Sequence, residues 1–148
     1  LATDANEWLG EISPDGKWLA YESDESGDRF EIFLRPFPAV NGRRETVSID
    51  GGRYPMWAHT GAELFYVNLN GAMMSVPIVL SPELKLGRPT KLFEWTRPPS
   101  VITARPDDIS RVDGGFLLSK PVSSTAPGTI NISVVVNWFN DVRTLLPR

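Results

Sequence analysis

Two stretches of this chain repeat one pattern: Ser13-Pro14-Asp15-Gly16-Lys17-Trp18-Leu19-Ala20-Tyr21 and, 45 positions later, Ala58-His59-Thr60-Gly61-Ala62-Glu63-Leu64-Phe65-Tyr66. A weaker copy lies a further 52 positions along, at 110–118. Each copy holds a turn that needs glycine or aspartate, followed by a strand that alternates large apolar residues. Self-similarity at a spacing of about 45 residues is typical of repeated structural units. The three copies therefore predict three related units.

Short runs rich in aromatic and β-branched residues surround these copies, and proline and glycine separate them. They lie at 17–23, 30–34, 63–67, 73–78 and 130–136, and shorter runs follow at 44–48 and 89–93. Runs of this length between turn residues predict antiparallel strands. We therefore predict an all-β fold of three four-stranded antiparallel propeller-type blades, at about 4–50, 51–95 and 106–137, with the third blade incomplete.

The last residues change their period. Trp138, Phe139, Val142, Leu145 and Leu146 are spaced as on one face of a helix, and Asn137 is a suitable residue for its start. This spacing predicts one short C-terminal helix over 138–146.

The stretch from Trp8 to Tyr21, with its Ser-Pro-Asp-Gly signature, resembles the PD40 (WD40-like) repeat of TolB-type β-propellers. The segment 131–148 is similar to the C-terminal end of the TolB-like propeller regions attached to bacterial serine/threonine kinases. The resemblance implies part of a six-bladed propeller, an extracytoplasmic or periplasmic location, and a role in protein interaction. Ala58-His59-Thr60-Gly61 departs from the signature in the second copy, and nothing in the chain resembles a kinase domain.

The composition argues against several kinds of chemistry. The 148 residues include no cysteine and a single histidine, and the formal net charge is −3. A nucleophilic triad and a zinc site both lack suitable residues, and neither glycine pair, at 51–52 or 114–115, continues as a phosphate-binding loop. We predict no metal, no cofactor, no nucleic-acid partner and no membrane insertion.

The tryptophans and the charged residues have two interpretations each. Trp8, Trp18 and Trp57 are expected to fill the space between blades, whereas Trp95 begins a proline-rich connection that is a better place for ligand contacts. The acids of the hairpin at 24–28, Glu25 among them, are expected to be solvated. The basic concentration Arg35, Arg43, Arg44 and Arg53 is expected to form an exposed loop or an ion-pair surface.

A ligand surface is expected at the mouth formed by the repeated turns and at the connection after the second blade. The candidate binding residues are Asp15, Arg53, Tyr54, Trp57, His59, Trp95, Arg97 and Asp113.

The resulting functional hypothesis is a non-catalytic binding or scaffold module for a protein or a small ligand. The alternative is a propeller-type hydrolase or lyase with a site of acids, arginine and tyrosine, and a third possibility is a regulatory remnant of a kinase sensor. Three blades make about half a ring, so we also predict a homodimer that completes six blades; the competing possibility is a monomer whose C-terminal helix covers the open face.

Overall fold

The computed structural model describes residues 4–95 and 108–118. The chain divides into two compact units, 1–95 and 96–148. The described residues form antiparallel β-sheets and contain no helix, which confirms the all-β prediction for this part of the chain. No helix of the described ranges is long and apolar enough to cross a membrane.

The first sheet contains four strands in sequence order: β1 (Glu7–Ile12), β2 (Trp18–Ser23), β3 (Glu31–Pro36) and β4 (Glu45–Thr46). In its register, Tyr21 lies opposite Phe33, and Phe33 lies opposite Thr46. Because side chains alternate between the two faces of a strand, these three residues share one face, while Ala20, Glu22 and Leu34 share the other.

The second sheet contains five strands rather than the predicted four: β5 (Arg53–Trp57), β6 (Glu63–Val67), β7 (Ala72–Val79), β8 (Lys85–Leu86) and β9 (Thr90–Glu94). The difference arises at β7, which is eight residues long. Its Ile78–Val79 end pairs with β8, whereas β9 pairs with residues 72–75. Two segments therefore take the place of one fourth strand.

In the second unit, the structure describes one hairpin, formed by β10 (Asp108–Ile109) and β11 (Phe116–Leu117). The other predicted strands of the third blade and the predicted helix at 138–146 lie outside the described residues.

The repeat seen in the sequence is also a repeat of backbone conformation. In each of the two larger sheets, the first strand carries a register shift, and a residue with positive φ lies there: Leu9 at 49° and Tyr54 at 61°, which are 45 positions apart. Tyr21 and Tyr66 each occupy the fourth position of the second strand and are buried. The two sheets are thus copies of one unit.

The core lies between these two sheets. β5 packs against the first three strands of the first sheet. The first sheet and the link after β4 contribute Ala20, Ile32, Leu34 and Val47, and the second sheet contributes Trp57, Leu64, Tyr66, Val76 and Ile78. Each set comes from one face of its sheet, as the alternating apolar pattern requires.

The tryptophans differ in their burial. Trp57 belongs to this core and Trp18 packs against it, as predicted. The prediction is wrong for Trp8, which is 44% exposed. Trp8 lies on β1, which among the described strands pairs only with β2, and it precedes the register shift of that strand.

Candidate functional site

The repeated turns use their polar side chains to bind their own backbone. The Asp15 carboxylate accepts hydrogen bonds from the Ser13 hydroxyl at 2.5 Å and from the Lys17 N–H at 3.1 Å. The bond from Ser13 is the main cause that lowers the pKa of Asp15. Thr60 has the equivalent role in the second turn, where its hydroxyl accepts from the Ala62 N–H at 3.3 Å.

Asp113 shows the same local chemistry in the β10–β11 turn. Its carboxylate accepts from the Gly115 N–H at 3.1 Å, and a hydrogen bond with Ser110 is the main cause that lowers its pKa. Gly16, Gly61 and Gly114 close the three turns with φ near +70°, a conformation that favours glycine. The shared signature therefore builds turns, and its aspartates are bound within them.

His59 is exposed in the turn between β5 and β6, at the position that corresponds to Pro14. The turns at 13–16 and 58–61 lie side by side: the position that a Cβ would take on Gly61 is 3.6 Å from Pro14 Cδ. Asp15 and His59 therefore lie beyond the Trp57 end of β5, whereas Arg53 and Tyr54 lie at its other end. The candidate residues of this unit do not converge on one site.

Arg53 and Tyr54 form a second group, which we call the Glu22 cluster: Glu22, Phe30, Arg53 and Tyr54. The guanidinium of Arg53 donates to Glu22 Oε1 from Nη2 at 2.8 Å and from Nε at 3.3 Å, and the Tyr54 N–H donates to Glu22 Oε2 at 2.7 Å. The guanidinium also lies 4.5 Å from the Phe30 ring centre and 5.2 Å from that of Tyr54. Burial opposes the charge on Arg53, but Glu22 outweighs it and raises the pKa of Arg53.

The other two aromatic candidates are tied to the backbone. The Trp57 N–H donates to Glu11 Oε2 at 3.0 Å, and its indole Nε1 donates to the Glu11 carbonyl oxygen at 3.2 Å. The Trp95 N–H donates to the Gly71 carbonyl at 2.7 Å, and Trp95 is only 7% exposed. Trp95 thus offers little surface to a ligand, contrary to the expectation for this connection. Arg97 lies outside the described residues.

A further group, the Glu25 cluster, was missed in the sequence: Tyr21, Glu25, Phe33, Arg35 and Arg44. Glu25 accepts hydrogen bonds from the Tyr21 hydroxyl at 2.6 Å and from Arg35 Nη2 at 3.3 Å, and Arg44 Nη1 forms an ion pair with its Oε2 at 2.9 Å. Arg35 Nε donates to the Tyr21 hydroxyl at 2.8 Å, and the Arg44 guanidinium lies 4.5 Å from the Phe33 ring centre. The cluster covers the face of the first sheet that is turned away from the second sheet.

The Glu25 cluster contradicts the expectation for the hairpin acids. Glu25 is not a solvated hairpin acid, because its side chain is largely buried against two arginines. Burial alone would raise its pKa, but Tyr21 and the two guanidinium groups lower it. For Tyr21, burial and then the bond to Glu25 raise the pKa to about 12.

The predicted basic concentration is an ion-pair surface. Each arginine has a carboxylate partner: Arg35 and Arg44 share Glu25, Arg43 contacts Glu45 at 2.6 Å, and Arg53 contacts Glu22. The ion pairs could have been predicted only from the pairing register of β2 and β3, because that register places Tyr21, Phe33 and Arg35 on one face of the sheet. Spacing along the sequence does not contain that register.

Among the described residues, no group of three or more histidine, aspartate or glutamate side chains is placed to hold a metal ion. Comparisons with protein-family models, curated proteins and solved structures found no match to this chain.

Proposed function

We propose that this chain is a non-catalytic binding or scaffold module, built as part of a TolB-like β-propeller. The observation that carries the proposal is the repeated unit itself: two sheets with equivalent bulges, turns and buried tyrosines, packed face to face. A β-propeller repeats such sheets, as blades, around a central channel. The repeated polar residues support this architecture, because their hydrogen bonds hold the turns.

Binding would then depend on side chains outside the repeated signature. The two arginine clusters supply such groups, because each holds a guanidinium over an aromatic ring and leaves about a third of the arginine side chain exposed. Arginine, tyrosine and tryptophan are enriched at the energetic centres of protein interfaces, and a guanidinium is attracted to the face of an aromatic ring. A module of this kind recognises partners by rigid, charged anchors on a stable scaffold.

The alternative is a hydrolase or lyase with a site of acids, arginine and tyrosine. The Glu25 cluster contains these residue types. There, however, Tyr21 is 2% exposed, and its phenol is protonated near neutral pH, as tyrosine ordinarily is; burial raises its pKa further, to about 12. A general base must reach its substrate and be deprotonated at working pH. These residues fit better as a cover for the sheet and a binding surface.

We expect the chain to select binding peptides from a random displayed library and to hydrolyse none of a panel of esters, peptides and glycosides. A selected peptide should bind saturably in calorimetry, because a rigid exposed anchor gives a defined site. The matched variants are His59→Ala and Asp15→Asn, which remove the side chains that an enzyme at the turns would need. If the unmodified chain turns over a substrate and either variant abolishes that turnover, the chain is an enzyme and the binding-module proposal is wrong.

The homodimer stays a prediction, and its mass tests it. A two-fold dimer that closes a six-bladed ring should give about twice 16.4 kDa in light scattering at micromolar concentration. A mass near 16.4 kDa that does not change on concentration would contradict it. Closure on the face of the first sheet that is turned away from the second sheet would bring the partner against the charged Glu25 cluster, so such a dimer should also weaken as salt is raised.

A further inference from the structure

We propose that Arg44 is the anchor of a docking surface on the face of the first sheet that is turned away from the second sheet, and that its occupant is a carboxylate-bearing acidic segment of another protein. This inference rests on the proposed function, for which it names the surface and the chemistry of the partner.

The Arg44 guanidinium is held in a fixed orientation. It lies 4.5 Å from the Phe33 ring centre, and Nη1 contacts Glu25 at 2.9 Å. Phe33 is fully buried on β3, and Glu25 is held in turn by Tyr21 and Arg35. An arginine oriented in advance loses less side-chain entropy when a partner binds.

The contacts of Arg44 involve one edge of its guanidinium and one of its faces. Nη1 of Arg44 contacts Glu25, and the face of the guanidinium lies on the Phe33 ring. Among the described residues, Nε and Nη2 have no hydrogen-bond acceptor. One third of the Arg44 side chain is exposed. The Nε and Nη2 edge matches the two oxygens of a carboxylate in a bidentate pair. By contrast, Arg35 uses Nε, Nη1 and Nη2 within the protein and has no equivalent edge.

The charge of the cluster favours a single carboxylate over a more highly charged group. Two guanidinium groups share one carboxylate, Glu25, so the cluster has a net charge of +1. One incoming carboxylate neutralises this charge, whereas a phosphate dianion would leave an excess negative charge beside Glu25. An aspartate or glutamate side chain of a partner protein supplies that single negative charge.

The test uses the full chain and a fluorescein-labelled hexaglutamate peptide, with hexaglutamine as the uncharged control, in fluorescence anisotropy at low salt. We expect saturable binding of hexaglutamate alone. Arg44→Ala should weaken it about tenfold, the loss of one charge-assisted bidentate pair. Arg44→Lys should weaken it as well, because lysine keeps the charge but lacks the fork. The matched control is Arg43→Ala, because Arg43 is the neighbouring arginine, is highly exposed and forms an ion pair with Glu45 instead of Glu25. This control should change the affinity less than twofold.

Four results would overturn the proposal. Absence of saturable binding by the unmodified chain would remove the site. Equal losses in Arg43→Ala and Arg44→Ala, or full binding by Arg44→Lys, would reduce it to unspecific charge attraction. A mass in light scattering that falls from dimer to monomer on Arg44→Ala would make a second copy the occupant. Circular dichroism of each variant checks that it is folded. None of these results would by itself make the chain an enzyme, so the binding-module proposal can survive the loss of this surface.

Discussion

Replacing Glu22 by alanine is expected to lower the free energy of unfolding by about 3 kcal/mol. Glu22 is fully buried, and its carboxylate joins β2 to both the Arg53 side chain and the Tyr54 backbone N–H. Alanine would leave the arginine charge without its partner and a backbone donor without an acceptor. Arg53 is about one-third exposed, so water compensates part of its charge, and the expected loss lies at the low end of that known for buried ion pairs.

Urea unfolding of the full chain measures this effect, with Glu45→Ala as the matched control. Glu45 also pairs with an arginine, but Arg43 there is largely exposed, so the control should lose less than about 1 kcal/mol. Glu22→Gln should fall between the two, because its amide oxygen can still accept from Tyr54. Equal losses for Glu22→Ala and Glu45→Ala would show that the buried pair does not hold the sheets together.

Replacing Trp57 by alanine is expected to cost about 3–5 kcal/mol, the range for removing a large aromatic side chain from a core. Trp57 is 4% exposed between the two sheets, where it packs with Leu64 and Ile78. Its indole N–H also donates to the Glu11 carbonyl of β1, so alanine would both open a cavity and leave that carbonyl without this donor.

Two variants separate the loss of packing from the loss of the indole hydrogen bond and from the loss of a tryptophan as such. Trp57→Phe keeps an aromatic ring but loses the bond to Glu11, and it should cost about 1 kcal/mol for that bond in addition to any loss of packing. Trp8→Ala removes the same side chain from an exposed position on β1 and should stay within about 1 kcal/mol of the unmodified chain. If Trp57→Ala is as stable as Trp8→Ala, Trp57 is free for the ligand role that its sequence position also allowed.

The local units could be predicted because their causes lie within a few residues. The glycines of the repeated turns have positive φ, and Asp15 binds the N–H two residues ahead, so the turn is built by its own side chains. These local patterns are why the strands and the spacing of 45 could be derived without tertiary structure.

The contacts of the candidate sites depend on what the strands pack against. Glu22 and Arg53 are 31 positions apart, and they meet because the second sheet packs on one face of the first. Glu25 and Arg44 meet on the opposite face through the register of β2, β3 and β4. A shift of one residue would move every side chain of a strand to the other face, so composition cannot choose between these partners.

By itself, the sequence determined the all-β class, the repeated turns and the 45-residue unit. These features depend on backbone preferences and on a period of two, both of which involve only neighbouring residues. Tertiary structure alone decided that β7 pairs with both β8 and β9, that Trp8 is exposed while Trp57 is buried, and that Arg44 lies on Phe33 beside Glu25. The physical reason is that burial and ion pairing depend on distances between strands, which register and the packing of the sheets set.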